Sequence, residues 1–264
     1  MNNQLVAAVM LAAGFASAQT PEAKQLAPTG TLRVTFLGGN PVQGVVDAKT
    51  GEVTGPVADI TRELARRLGV AFQIKPSMGV RGVLDAITMH TADLGFLAFD
   101  ATRATEVDFS EPYELAYNTF VVRADSPIQR FADADREGTR IAAPKGDSGD
   151  LYLSRTLKHA ELKSIPGLGV EQAERMLAAS EIEAFATNRE RLTEQTARFP
   201  NLRLLSDNFF AVEQSLVVSK GDPDRVAYLN RALDDLRASG FLQAAIDRAQ
   251  LHGVEVAPPA NRPR

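Results

Sequence analysis

The regular alternation of strand-like and helix-like patterns over residues 31–99 is the feature that most constrains the fold. Apolar residues recur there at two-residue spacing or in a continuous run, as in strands, and at helical spacing between them. The strand patterns lie at residues 32–36, 70–74 and 94–99, and the helical patterns at residues 57–68 and 83–87. This β-α-β-α-β order predicts a mostly parallel sheet between helices, with ligands bound beyond the carboxyl ends of the strands.

A break separates this unit from a second one with the same order. Residues 118–122 have the pattern of a further strand, and the polar residues 123–127, which include a proline, suit a crossing between two lobes. Strand and helix patterns then alternate from residue 140 to a further helix at Arg189, and residues 214–219 predict a strand that returns to the first lobe. We therefore predict an α/β fold of two lobes joined by a two-segment hinge, with a ligand cleft between them. The expected boundaries are residues 31–122 plus 214–253 for lobe 1 and residues 125–211 for lobe 2.

The sequence patterns at the two ends of the chain differ from those of its middle. Residues 5–15 are apolar and rich in alanine, and the Ala-Ser-Ala that follows suits cleavage of a signal peptide after Ala18. This run is shorter than the roughly 20 residues of a membrane-spanning helix, so we expect no membrane span in the mature chain and a location in the periplasm. Residues 19–30 predict a flexible leader, and the Pro-rich residues 254–264 a loose tail.

Composition excludes several classes of function. A formal charge of −4, with scattered basic residues, gives no footprint for nucleic acid. The chain has no cysteine, which excludes disulfides, thiolate catalysis and the acylated cysteine of a lipoprotein. His90, His159 and His252 are not part of any local metal-binding or catalytic motif, so we expect no metal and no cofactor. The Gly-Asp-Ser-Gly at residues 146–149 looks like the nucleophile segment of a serine protease, but no partner base accompanies it.

Residues 92–103 and 107–113 contain the most informative motifs. The first, Ala-Asp-Leu-Gly-Phe-Leu-Ala-Phe-Asp-Ala-Thr-Arg, and the second, Val-Asp-Phe-Ser-Glu-Pro-Tyr, resemble the family-3 extracellular solute-binding proteins of ABC transporters, in particular the polar amino-acid binders. The resemblance covers residues 30–249. It implies the fold of periplasmic binding proteins, capture of a small carboxylate-bearing ligand by lobe closure, and a membrane permease as partner. The sequence gives no sign of an oligomer, so we take a monomer as the default.

The resemblance also implies a ligand site in the first lobe. Arg103 matches the arginine that clamps the ligand carboxylate, and a planar fork of donors suits a carboxylate. Phe96 and Ala98 lie on the strand before it and are expected at the site. Asp100 is expected to cap the following turn, with ligand contact as the alternative. Asn40, in the loop after the first strand, should flank the ligand, although that loop lacks the aromatic residue that the family often has.

In the second lobe, residues 145–150 connect a strand to a helix. Backbone N–H groups at such a connection point towards a bound anion, and the family uses this loop to hold the ligand carboxylate. Gly146 and Ser148 are therefore candidates, with Asp147 contributing mainly through its N–H. An ordinary capped helix start is the alternative.

Asn188 marks a departure from the family pattern. Amino-acid binders usually have an aspartate at this position to pair with the ligand ammonium, whereas here the neutral Asn188 is followed by Arg189. A buried ammonium without a charged partner is costly, and Arg189 could meet a second carboxylate. An amino acid and an organic anion therefore both remain open as ligand.

Two further functions compete with the binding protein. One is an enzyme on the same scaffold, as in the cyclohexadienyl dehydratases. For this enzyme, the only candidate pair in the sequence is Lys145 as the cation and Glu190 as the acid. Both are better explained as solvated charges, so we predict a binding protein and no catalytic residue. The other is a stand-alone soluble receptor or sensor for a different membrane protein.

Overall fold

The computed structural model describes residues 20–251 and 253–259. The predicted signal peptide at residues 1–18, its cleavage site and His252 lie outside the described residues. Within this part, the chain forms two α/β lobes, which confirms the predicted fold class. None of the helices in these ranges combines the length and apolarity that a bilayer span requires.

The elements of the first lobe come first along the chain. They are α1 (Pro21–Leu26), β1 (Thr31–Leu37), β2 (Val45–Val46), β3 (Val53–Thr54), α2 (Pro56–Leu68), β4 (Ala71–Ser77), α3 (Gly79–Thr88) and β5 (Leu94–Ala98). A long strand, β6 (Val107–Arg123), leads into the second lobe. That lobe contains β7 (Arg140–Pro144), α4 (Ser148–Thr156), β8 (Glu161–Ile165), α5 (Val170–Ala178), β9 (Ala184–Asn188), α6 (Arg189–Thr196) and β10 (Leu202–Leu204). The chain returns through β11 (Phe210–Ser219) and continues with α7 (Pro223–Ala238), α8 (Phe241–Arg248) and β12 (Glu255–Val256).

The sheet of the first lobe follows the predicted parallel pattern. β1 lies between β4 and β5 and is parallel to both. β5 is buried along its whole length, because helices cover both faces of a parallel sheet. α2 begins at Pro56 and ends before Gly69, whose φ of 66° is a left-handed conformation that glycine adopts without strain. The helix that the sequence predicts to close at Gly69 is therefore confirmed.

The second lobe has a separate core on each face of its sheet. β7 lies between β8 and β9 and is parallel to both. Phe120 packs against Phe131 and Phe209, with ring-centroid distances of 5.6 and 4.9 Å. Val121 joins Phe185 in the core on the other face, because successive residues of a strand point to opposite sides.

The crossing between the lobes lies within β6. β6 pairs with β11 as far as Asn118, and residues 118–121 already pair with β9 of the second lobe. Phe120 and Val122 belong to the core of the second lobe. The predicted crossing at residues 123–127 and the boundary of lobe 1 at residue 122 are therefore corrected, because an unbroken strand runs through both lobes within one ten-stranded sheet.

The described parts of both ends contain regular structure that the sequence did not predict. Within the expected leader, α1 is capped by the Thr20 side chain, and its Ala23 and Leu26 are buried. Within the expected tail, β12 pairs with β6, and Ala257 is fully buried. These segments are too short for periodicity to show, and burial against the first lobe orders them.

Candidate functional site

The cleft between the lobes contains two adjoining spaces. An inner chamber of about 40 Å³ lies at the carboxyl ends of the strands, and an outer cavity of about 630 Å³ opens from it. Asp147 and Arg191 line both spaces. Of the predicted ligand-binding residues, the chamber is lined by Asn40, Ala98, Arg103, Asp147, Ser148 and Asn188. A separate cavity of about 620 Å³, beside the β2–β3 hairpin and α8, contains no predicted ligand-binding residue.

Arg103 is buried where the two lobes meet. It begins a short 3₁₀ turn, and its side chain reaches across the cleft. Nη1 donates to the Ala98 carbonyl oxygen and Nη2 donates to that of Gly146 in the second lobe, each at 2.8 Å. Burial lowers the pKa of Arg103, while the charges of Asp100 and Asp147 raise it. Because these two bonds use only part of the guanidinium fork, donors remain for an anion in the chamber.

Asp100 caps the turn as predicted and also bridges the lobes. Its Oδ1 accepts the Thr102 N–H, and its Oδ2 accepts from Arg155 on α4, both at 2.8 Å. Burial works to raise the pKa of Asp100, but the bonds from Arg155 and Thr102 outweigh it and hold that pKa below its usual value. Asp100 does not line the inner chamber, so the structure supports the predicted capping role over the alternative of ligand contact.

Three other predicted residues of the first lobe have different positions. Ala98, at the end of β5, lines the chamber. Phe96 does not line the chamber, so its predicted place at the ligand site is corrected. It lies deeper in the sheet and packs edge-on against Tyr113, with 5.7 Å between the ring centroids. Asn40 lines the chamber and is buried, and its Oδ1 has no hydrogen-bond partner among the described residues.

In the loop before α4, two of the N–H groups that the sequence predicted for an anion, those of Gly146 and Asp147, are already hydrogen-bonded within the chain. The Gly146 N–H donates to the Asp150 carboxylate at 2.8 Å, and the Asp147 N–H donates to the Pro144 carbonyl at 3.1 Å. Both donors are satisfied within the loop, so neither is available for an anion. Ser148 does face the chamber, in the first turn of α4, where its hydroxyl accepts from Asn118 at 3.1 Å.

The Asp147 side chain, instead of its N–H, faces the cleft. It does not cap α4, and its Oδ2 lies 3.8 Å from Arg191 Nη1. Burial raises the pKa of Asp147, and the charges of Arg191 and Arg103 oppose this rise. The chamber therefore contains an acidic group between two guanidinium groups.

Asn188 and Arg189 do not have the roles predicted for them. Asn188 Oδ1 accepts the N–H groups of Glu190 and Arg191 at 3.0 and 3.2 Å, so it caps α6 and is not free to accept from an ammonium. Arg189 turns away from the chamber and donates to the carbonyl oxygens of Leu205 and Asp207. Its predicted contact with a second ligand carboxylate is therefore corrected.

Sequence reasoning missed several side chains of the chamber. Arg191 reaches across the cleft and donates to the Gly39 carbonyl oxygen at 3.1 Å. Gln43 and Gln214, both buried, are joined by a hydrogen bond of 3.0 Å at the chamber wall. Arg191 could have been found by treating Asn188 as a helix cap, which places Arg191 in the first turn beside the cleft.

The acid and cation nominated for an enzyme are not brought together. Lys145 lines the outer cavity of the cleft, whereas Glu190 lines the separate cavity beside α8. Across the described ranges, there is also no cluster of three or more potential metal-ligating side chains. The side chains that line the inner chamber provide hydrogen-bond donors and acceptors around a small space.

The profile of the bacterial extracellular solute-binding proteins, family 3, matches residues 32–249. The chain belongs to this family. This membership confirms the resemblance read from the motifs and gives the general role of a solute-binding protein of ABC transporters.

Relatives of this family-3 protein agree with that role. An L-arginine-binding protein of Pseudomonas aeruginosa is 25% identical over 253 residues, which cover 85% of this chain and 96% of that protein. The probable ABC transporter extracellular-binding protein YckB of Bacillus subtilis is 30% identical over 115 residues, only 43% of this chain and 39% of that protein. Among solved structures, a mutant of ArgBP from T. maritima has a TM-score of 0.70 at 24% identity and covers 88% of this chain and all of its own. This structural likeness supports the two-lobed fold.

Proposed function

We propose that the chain is the periplasmic solute-binding component of an ABC importer and that it captures a small carboxylate-bearing ligand between its lobes. The observation that carries this proposal is the position of Arg103, which is 5% exposed in the cleft and whose hydrogen bonds among the described residues go to carbonyl oxygens. A buried cation is stable only with a compensating anion or a full set of acceptors. A ligand carboxylate would supply that anion to the remaining donors of the fork.

Lobe closure is supported by contacts that cross the cleft. Besides the bond from Arg103 to Gly146, Arg155 pairs with Asp100 and Arg191 donates to Gly39. In the described part of the chain, β6 and β11 lie at the junction of the lobes along the sheet, so a small change in these strands would move one lobe relative to the other. Closure would bury a ligand and strengthen its electrostatic contacts.

Location and partners complete the proposal. Secretion with cleavage after Ala18 would deliver the chain to the periplasm, where it would hand its ligand to a membrane permease as a monomer. The family and its relatives are extracellular binding proteins of ABC transporters, which supports this placement.

A thermal-shift screen of the chain from residue 19 onward tests the proposed function. We expect an amino acid or organic anion to raise the Tm, because a ligand at 100 times its Kd adds about 2.7 kcal/mol to the free energy of unfolding. The same compounds, incubated with the protein and analysed by mass spectrometry, should be recovered unchanged. Stabilisation only by compounds without a carboxylate would contradict the proposal, and formation of product would favour the dehydratase-like alternative.

A further inference from the structure

The inner chamber holds hydrogen-bond acceptors as well as donors, and two of these acceptors lack donors. Asn40 Oδ1 is buried without a partner among the described residues, and Asn40 as a whole is 8% exposed. The Asp147 carboxylate accepts no hydrogen bond in the described structure, and its distance of 3.8 Å from Arg191 is too long for one. A buried acceptor without a donor, such as Asn40 Oδ1, is costly, and the Asp147 carboxylate, whose side chain is 29% exposed, is open to a donor from the cleft, so a well-matched ligand must bring donors as well as a carboxylate.

The charges around the cleft have an excess of positive sign. The charged side chains of the chamber are Arg103, Arg191 and Asp147. Those of the outer cavity are Lys145, Arg191, Asp147 and Arg81, of which Arg81 is already paired with Asp85 and Glu106. One carboxylate among these cations can pair with one ligand ammonium, but it leaves two guanidinium groups to be matched. A cleft with a net positive charge also attracts anionic ligands.

From this arrangement, and resting on the proposed function, we infer that the ligand is an amino acid with an acidic side chain. Arg103 binds one carboxylate, Asp147 binds the ammonium, and Arg191 binds the second carboxylate. Asp147 thereby replaces the anion that is missing at Asn188, whose oxygen is occupied by capping α6. Arg191 lines both spaces, so a ligand that extends from the chamber into the outer cavity can place its side-chain carboxylate at this residue.

Matched sets of ligands separate the three contacts. L-glutamate is compared with glutarate, which lacks the ammonium, and with L-norvaline, which lacks the second carboxylate. L-aspartate, succinate and L-2-aminobutyrate form the shorter set, and L-arginine is the cationic comparison. By isothermal titration calorimetry, we expect the acidic amino acid of one set to bind at least tenfold more tightly than both of its analogues and than L-arginine.

Two variants assign the contacts to residues. Asp147→Asn should weaken the acidic amino acid at least tenfold and change the dicarboxylate less than threefold. Arg191→Gln should weaken the acidic amino acid at least tenfold and change the monocarboxylic analogue less than threefold. Glu137→Gln, which alters an exposed carboxylate elsewhere in the second lobe, is the matched control and should change neither.

The pH dependence of ligand affinity tests the role of Asp147 in a second way. Burial raises its pKa, although Arg191 and Arg103 face it and oppose the rise, and Asp150 adds to it. A raised pKa means that the carboxylate is protonated at a higher pH than usual. Affinity for the acidic amino acid should therefore fall as the pH falls through this raised pKa, and Asp147→Asn should flatten that part of the profile.

The possible failures are distinguishable. If no carboxylate-bearing compound binds, the proposed function and this inference both fall. If a dicarboxylate without an ammonium, a neutral amino acid or L-arginine binds most tightly, the proposed function stands and this inference is overturned. Equal losses for glutamate and glutarate in Asp147→Asn would also overturn it, because that variant would then have disturbed the cleft as a whole.

Discussion

Replacing Arg103 with alanine should weaken ligand binding by about 2–5 kcal/mol, the usual cost of removing one partner of a buried charge pair. The ligand carboxylate would then be buried against the Ala98 and Gly146 carbonyl oxygens, which now accept from Arg103 and would repel an anion. Calorimetric titration with the best ligand of the thermal-shift screen measures this loss.

Two comparisons show whether the loss belongs to the site. Arg62→Ala, which removes an exposed guanidinium on α2, should leave the affinity unchanged. Arg103→Lys should lose much of the affinity, because an ammonium cannot reproduce the two-pronged contact of a guanidinium. Circular dichroism should show the same folded spectrum for all three variants, and wild-type affinity in Arg103→Ala would remove this residue from the site.

Replacing Phe120 with alanine should lower the free energy of unfolding by about 3–5 kcal/mol, because it leaves a cavity in a closely packed aromatic cluster. Phe120 is fully buried and lies within 5.6 Å of the Phe131 and Phe209 rings. It stands on β6 just after the crossing, so its loss should affect the second lobe first. Urea unfolding followed by circular dichroism measures the effect.

Phe72→Ala is the matched control for this core substitution. Phe72 is 41% exposed on β4 of the first lobe, so its removal should cost less than about 1 kcal/mol. Comparable losses in the two variants would mean that the Phe120 cluster does not hold the second lobe together as the structure indicates.

The order of strands and helices was predictable because apolar periodicity is a local property. β5 is buried throughout, as its continuous apolar run indicates, and α2 ends at the glycine that the sequence marks. The crossing was not predictable in the same way. Whether β6 continues through residues 118–123 depends on pairing with β9 and β10, which lie far along the chain.

A residue of the cleft could be predicted where a sequence motif identifies it. It could not be predicted where the packing of a helix determines which way a side chain points. Arg103 lies in the cleft as its motif implies. Arg189 and Arg191 are two residues apart on α6, so their side chains point about 200° apart around the helix axis. Which of them faces the chamber depends on how α6 packs, and in the sequence only the reading of Asn188 as a helix cap would have pointed to Arg191.

The loop before α4 shows a second limit. Its sequence suits an anion site, but Asp150 turns back and takes the Gly146 N–H. That bond removes one predicted donor, and the Asp147 carboxylate faces the cleft beside Ser148. Local sequence indicates where backbone N–H donors occur. It does not show which of these donors are already hydrogen-bonded within the loop.

Distance measurement between spin labels on the two lobes tests the central claim most directly. The chain contains no cysteine, so Met78→Cys and Glu171→Cys would be the only labelled positions. Both residues are exposed, beside Gly79 and Gly169, which line the outer cavity from opposite lobes. Saturating ligand should shift the distance distribution towards its shorter values, and the same ligand concentration should produce no shift in the Arg103→Ala variant. A distribution that bound ligand leaves unchanged would contradict capture by lobe closure.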